Sequence, residues 1–170
     1  MRTVWMIPYL YSREKIPAMN TLRALTILIV LAAAAVPAMA SDYVQAPHPT
    51  GFRGLAWGTP LADAPELVPV QEPGFENTYF KRDEPKTFGK AEITSVAYYF
   101  NKDKLYRVGL AYKGRVNQFF LKDMLMQRYG AGRGIGFRYG WMWPDFSIEL
   151  DFDNDTDTGS LYYTFEGVLK

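Results

Sequence analysis

Residues 92 to 112, EITSVAYYFNKDKLYRVGLAY, hold two apolar-polar alternations separated by the polar NKDK. Alternation puts Val96, Tyr98 and Phe100 on one face of a strand, and Tyr106, Val108, Leu110 and Tyr112 on one face of the next. Two such runs joined by a short polar loop predict a β-hairpin. The pattern recurs in FSIELDF, where Phe146, Ile148, Leu150 and Phe152 share one face while Ser147, Glu149, Asp151 and Asp153 share the other. Strands with one apolar and one polar face belong in an antiparallel sheet that is covered on one side only. No other feature of the chain restricts its fold as much.

Between these runs, VNQFFLKDMLMQRYG sets Phe120, Leu121, Met124 and Leu125 at helical spacing. Gly130 is placed as its C-terminal cap, and Arg128 complements the negative end of the helix dipole. Nearer the N-terminus, Thr59 is suited to cap a second helix, Pro60 to open it and Asp63 to sit in its first turn; Pro65 limits it to a turn or two. NTYFKRD, GFRYGWMW and SLYYTFEGVL supply further strands. The expected fold is α+β, an antiparallel β-sheet with two helices on one face, the order helix then three strands occurring twice. A partly closed barrel around the long helix is the alternative.

Met19 to Ala40 carries one basic residue, Arg23, then an apolar run from Ala24 to Val36, and ends in Ala38-Met39-Ala40 before Ser41. This is the pattern of a secretory signal peptide cleaved between Ala40 and Ser41. The apolar run is shorter than the roughly 20 residues of a membrane span. Residues 1–18 read as a non-structural extension ahead of that signal, 41–51 as an extended leader, and 52–170 as one α+β domain. The expected destination is the periplasm or beyond, with no integral membrane segment in the mature chain.

The whole chain holds 19 Lys and Arg against 18 Asp and Glu. The first 40 residues take Arg2, Arg13, Lys15, Arg23 and Glu14 with them, so the mature balance is slightly negative. Such a balance lacks the excess positive charge with which nucleic-acid binders neutralise phosphates. Cysteine is absent, which removes disulfides, thiolate catalysis and thiolate metal sites together.

The opening FRGLAWGTPL, with its F-x-G-x-x-W-G pattern, the central YYFNKDKLYRVGLAY followed by a helix ending in QRYG, and the closing WPDFSIELDFDNDTDTGSLYYTF resemble small exported bacterial proteins of unknown function. The resemblance implies export and fold and carries over no catalytic residue. In helix-then-strand order the chain is also loosely similar to β-lactamase-inhibitor proteins and small outer-membrane assembly lipoproteins. Both are protein-binding modules, and the chain departs from the lipoproteins in lacking a lipid-modified cysteine.

Five groups of residues invite a chemical reading. DFDNDTDTG, residues 151–159, suggests calcium at Asp153, Asp155 and Asp157, but an EF-hand loop needs Gly at position 6 and Glu at position 12. Counted from Asp153 those positions are Thr158 and Thr164, and the flanks are strands, so a plain hairpin is favoured and calcium is the minor alternative. GAGRGIG, residues 130–136, reverses the strand-then-helix context of a dinucleotide loop and reads as a helix-to-strand connection, with an anion nest near Arg133 as the lesser option.

Phe137, Tyr139, Trp141 and Trp143 form an aromatic row on one strand face, favoured as core but able, if exposed, to stack on sugar rings or anchor a protein; Trp57 shares the ambiguity. Glu149, Asp151 and Asp153, with Asp145 nearby, have the rough spacing of glycosidase carboxylates, yet any polar strand face has that spacing. His48 is the only histidine and lies between two prolines, a poor start for a triad or a zinc site. Lys81, Arg82, Lys86 and Lys90 read as a solvated loop that suits an acidic partner. Together these features favour an exported module that binds another envelope protein without catalysis and without a cofactor. A glycan or small-ligand binder using the aromatic row is the alternative, and a carboxylate hydrolase the third.

Overall fold

The computed structural model describes residues 46–170. The expectations for the N-terminal extension, the signal peptide, its cleavage site and leader residues 41–45 lie outside the described residues.

The alternating runs become strands where expected. β1 (Gly51–Phe52) and β2 (Leu55–Ala56) form a small hairpin, and β5 (Thr87–Phe88) and β6 (Ala91–Glu92) another. The other strands are β3 (Leu67–Pro69), β4 (Thr78–Lys81), β7 (Ser95–Asn101), β8 (Lys104–Lys113), β9 (Arg133–Ile135), β10 (Arg138–Trp143), β11 (Phe146–Asp153) and β12 (Thr158–Phe165). They build one 8-stranded sheet in the order β3-β4-β7-β8-β12-β11-β10-β9, with every neighbouring pair antiparallel. The chain works from one edge to the centre at β8, crosses in α1 (Arg115–Tyr129) to the far edge, and returns strand by strand until β12 pairs with β8.

The two-helix expectation is overturned. Among the described residues α1 is the one α-helix, and the predicted first helix is a 3-10 turn, Leu61–Asp63, whose capping position is Pro60 with no side-chain cap. The reason lies in where its backbone groups bond. Gly58 N–H donates to Leu105 O (2.8 Å), Leu105 N–H to Thr59 O (3.0 Å) and Leu61 N–H to Asp103 O (2.8 Å). The segment runs along the start of β8, so the donors and acceptors that would open a helix are used across the chain. The helix-then-strands order is therefore met once, in α1 and β9 to β12, and the protein is mostly β.

The turns follow local chemistry. β7 and β8 are joined by Lys102 and Asp103, both with positive φ (48° and 62°), as a two-residue hairpin with right-handed strand twist requires. The aspartate-rich segment is a hairpin, with Asp153 opposite Thr158. α1 ends at Gly130, where φ is 81° and the N–H donates to Met126 O (2.8 Å).

One face of the sheet carries the core. Val96, Val108, Leu110, Leu150, Leu161 and Ile148 line it and are buried together with Leu121 and Leu125 of α1. Among the described residues no helix packs on the other face. Register places Tyr99, Arg107, Tyr162, Glu149 and Arg138 there.

Candidate functional site

The aromatic row is mostly structural. Trp141 is 2% exposed and its indole N–H donates to Gly130 O (2.8 Å), fixing β10 to the end of α1. Tyr139 and Trp143 are half-buried, and Phe137, at 40% exposure, is the most open of the four. Trp143 donates to Ala46 O (3.0 Å), and half-buried Trp57 donates to Pro49 O (2.8 Å) while lying 5.4 Å from the Phe146 ring. With all three indole donors engaged inside the fold, these tryptophans work as anchors of the core. The leader residue His48 stacks on Phe146 with ring centroids 4.7 Å apart and lies 3.5 Å from Asp145.

Of the acidic candidates, Asp151 and Asp153 are held by partners within the fold. Asp153 accepts the Asp155 N–H (2.9 Å) and the Thr156 hydroxyl (3.0 Å), and these bonds hold its carboxyl below the usual range. Asp151 pairs with Arg138 at 2.8 Å. Among the described residues no group of 3 or more His, Cys, Asp or Glu side chains is placed to hold a metal ion. The GAGRGIG segment becomes the edge strand β9, with Ile135 91% exposed. On the uncovered face the Arg107 guanidinium lies 4.0 Å over the Tyr162 ring, and its Nε is buried without a hydrogen-bond partner. The facing ring offsets part of that loss.

The most site-like geometry lies where the sequence showed only a charged loop. β4 and β7 pair at Thr78↔Tyr99 and Tyr79↔Tyr98, and there their ladder stops. Phe100 N–H donates to Asn77 O (2.9 Å), so by antiparallel alternation the N–H and C=O of Val96 also face β4. Val70 N–H donates to Thr78 O (2.9 Å), so β4 turns its even residues toward β3 and Lys81 toward β7. Lys81 and Val96 would thus be the next hydrogen-bonded pair of the ladder, and the pairing does not reach them. The chain segments that leave β4 and lead into β7 come together beyond this break, where Ile93 N–H donates to Lys86 O (2.9 Å) at the root of the separate β5–β6 hairpin. The result is an eyelet in the sheet, closed at both ends.

A cleft of about 250 Å³ fills the eyelet, with Phe80, Pro85, Ile93 and Val96 as apolar lining and Lys81, Arg82 and Lys86 around it. Phe80 and Ser95 belong by register to the uncovered face, so the cleft opens there. A second cleft of about 370 Å³, lined by Arg53, Glu66, Leu67, Asp83 and Tyr98, shares Lys81, Glu84 and Pro85 with the first, so a strap of chain, residues 82–86, borders both.

The strap is held rigidly. Arg53 pairs with Glu84 Oε1 and donates to Pro85 O (3.1 Å) and Thr87 O (2.7 Å), while the Tyr98 hydroxyl donates to Glu84 Oε2 (2.8 Å). Burial, and then the bond to the Glu84 carboxylate, push the Tyr98 phenol well above its usual range. The β5–β6 hairpin is tied to the helix, with Glu92 N–H donating to Asn117 Oδ1 (2.9 Å). Both Glu84 oxygens are occupied, whereas the side chains of Lys81, Arg82 and Lys86 make no hydrogen bond or ion pair with a described residue. The sequence signal for this site was the TFGKAE mini-hairpin between two longer strand runs, which keeps those runs from pairing to their ends.

Comparison of the chain with known protein families, with curated proteins and with solved structures gives no match. No helix among the described residues is long and apolar enough to cross a membrane.

Proposed function

We propose that the protein is an exported, non-enzymatic module that binds another envelope protein at the eyelet between β4 and β7. The observation that carries this reading is the interruption of β4–β7 pairing at Lys81 and Val96, set beside an apolar-lined cleft with three cations that pair with no described residue. Open strand edges take up a partner's main chain, and a rigid strap keeps the ordering cost of binding low. At about 250 Å³ the cleft has room for one side chain of a polypeptide. Export follows from the signal pattern, and N-terminal sequencing of the mature protein at Ser41 tests it.

A photo-crosslinking residue at Phe80, 37% exposed at the cleft, tests the binding reading in cells, with the same residue at Met142, 72% exposed, as control. The expected result is one discrete adduct from Phe80 that is lost on Lys81→Glu/Arg82→Glu. No Phe80 adduct, or the same adducts from both positions, overturns the reading.

A further inference from the structure

Resting on that reading, we infer that the eyelet receives the free C-terminal end of the partner chain, with its last side chain in the cleft and its carboxylate among Lys81, Arg82 and Lys86. Three observations lead to a chain end. The eyelet is closed by the Tyr79↔Tyr98 pair on one side and by the Ile93-to-Lys86 hydrogen bond on the other. A continuous strand running between β4 and β7 would meet paired backbone at both limits, whereas a terminus entering from the uncovered face stops inside.

The second observation is charge. Lys81, Arg82 and Lys86 line the cleft without pairing with a carboxylate of the described residues, and Glu84, the carboxylate that lines it with them, is bound on both oxygens by Arg53 and Tyr98. Asp83 and Glu66 line the second cleft. An occupant of the first cleft therefore meets cations, and a terminal carboxylate can accept from ammonium, guanidinium and main-chain N–H groups of the eyelet together.

Size is the third. A volume of about 250 Å³ with Phe80, Ile93 and Val96 in its lining admits a large apolar side chain and its backbone but not a folded element. Recognition then requires an apolar final residue and an uncapped carboxylate.

Fluorescent hexapeptides with randomised upstream positions and a final Leu, Phe or Ala, each as free acid and as amide, are titrated into the purified full chain by anisotropy. The expected result is binding of the Leu and Phe acids, with amidation weakening it about tenfold or more. In Arg82→Ala/Lys86→Ala, whose side chains are exposed and unpartnered, the acid–amide difference collapses while the melt is unchanged. Equal binding of acid and amide overturns the terminal-carboxylate inference and leaves protein binding at the eyelet standing. Absence of binding by either form also overturns the inference, and the Phe80 crosslink alone then decides whether the broader reading survives.

Discussion

Gly159 closes the DFDNDTDTG motif and looks like a turn residue, yet the structure gives it a different task. It lies in β12 directly opposite Tyr112 of β8, and the left-handed residue of the turn is Asp157, with φ 55°. A Cβ at position 159 would come within 2.2 Å of Tyr112 Cζ, 2.4 Å of its hydroxyl and 2.6 Å of Asp151 O. The Tyr112 ring is 1% exposed and donates its hydroxyl to Asp151 O (2.7 Å), so it has no free space to enter. Overpacking of this kind costs about 1 to 3 kcal/mol, and loss of the hydroxyl bond adds about 0.5 to 1.5 kcal/mol. The lower chain entropy of alanine returns about 0.4 to 1 kcal/mol.

Gly159→Ala is therefore expected to destabilise the protein by roughly 2 to 3 kcal/mol, measured by urea unfolding, with a fall in Tm on the order of 10 °C. Truncating Tyr112 first removes the ring contacts and leaves only the Asp151 carbonyl. In the Tyr112→Ala background the same glycine change should cost less by about 1 kcal/mol or more. A single-mutant effect within about 0.5 kcal/mol of zero, or an equal cost in both backgrounds, refutes the slot.

Burial raises the phenols of Tyr98, Tyr112 and Tyr163, so above about pH 10 the unfolded chain releases protons that the folded chain retains. Stability from these groups is full below that pH and falls as pH rises through it, which urea midpoints between pH 8 and 11 will show as a decline confined to the alkaline end. Glu84→Ala removes the shared acceptor of Arg53 and Tyr98; it should cost about 2 to 3 kcal/mol in urea unfolding and move the Tyr98 absorbance titration downward, since the Glu84 hydrogen bond and charge both raise it. Asp153→Ala should lower Tm more than Asp153→Asn, because asparagine keeps one oxygen for the Asp155 N–H and puts a donor amide where Oδ2 accepted the Thr156 hydroxyl, and millimolar calcium should leave both melts unmoved.

What the sequence by itself determined is the alternation: which residues of β7 and β11, and of β8 from Val108 on, face the core, where α1 lies, and that DFDNDTDTG is a hairpin; at the start of β8 a register shift buries Leu105 where alternation placed Tyr106. Those features depend on residues close in sequence, whose side chains segregate by period before any distant contact forms. The first helix was misread because its local signals, Thr59 and Pro60, are weaker than the backbone bonds that residues 58 to 61 find on β8 and its turn. The aromatic row was legible as core but not graded by depth, since the burial of Trp141 and the openness of Phe137 depend on what α1 covers. The eyelet left only the TFGKAE mini-hairpin as a sign in the sequence, and nothing local says that this hairpin would hold the neighbouring strands apart. It exists because a small hairpin, pinned to α1 at Asn117 and strapped down by Arg53, holds β4 and β7 apart over the stretch where their own patterns would pair. Only tertiary structure decided this, because strand pairing is a competition among backbone partners, and the winners here are residues far away in sequence.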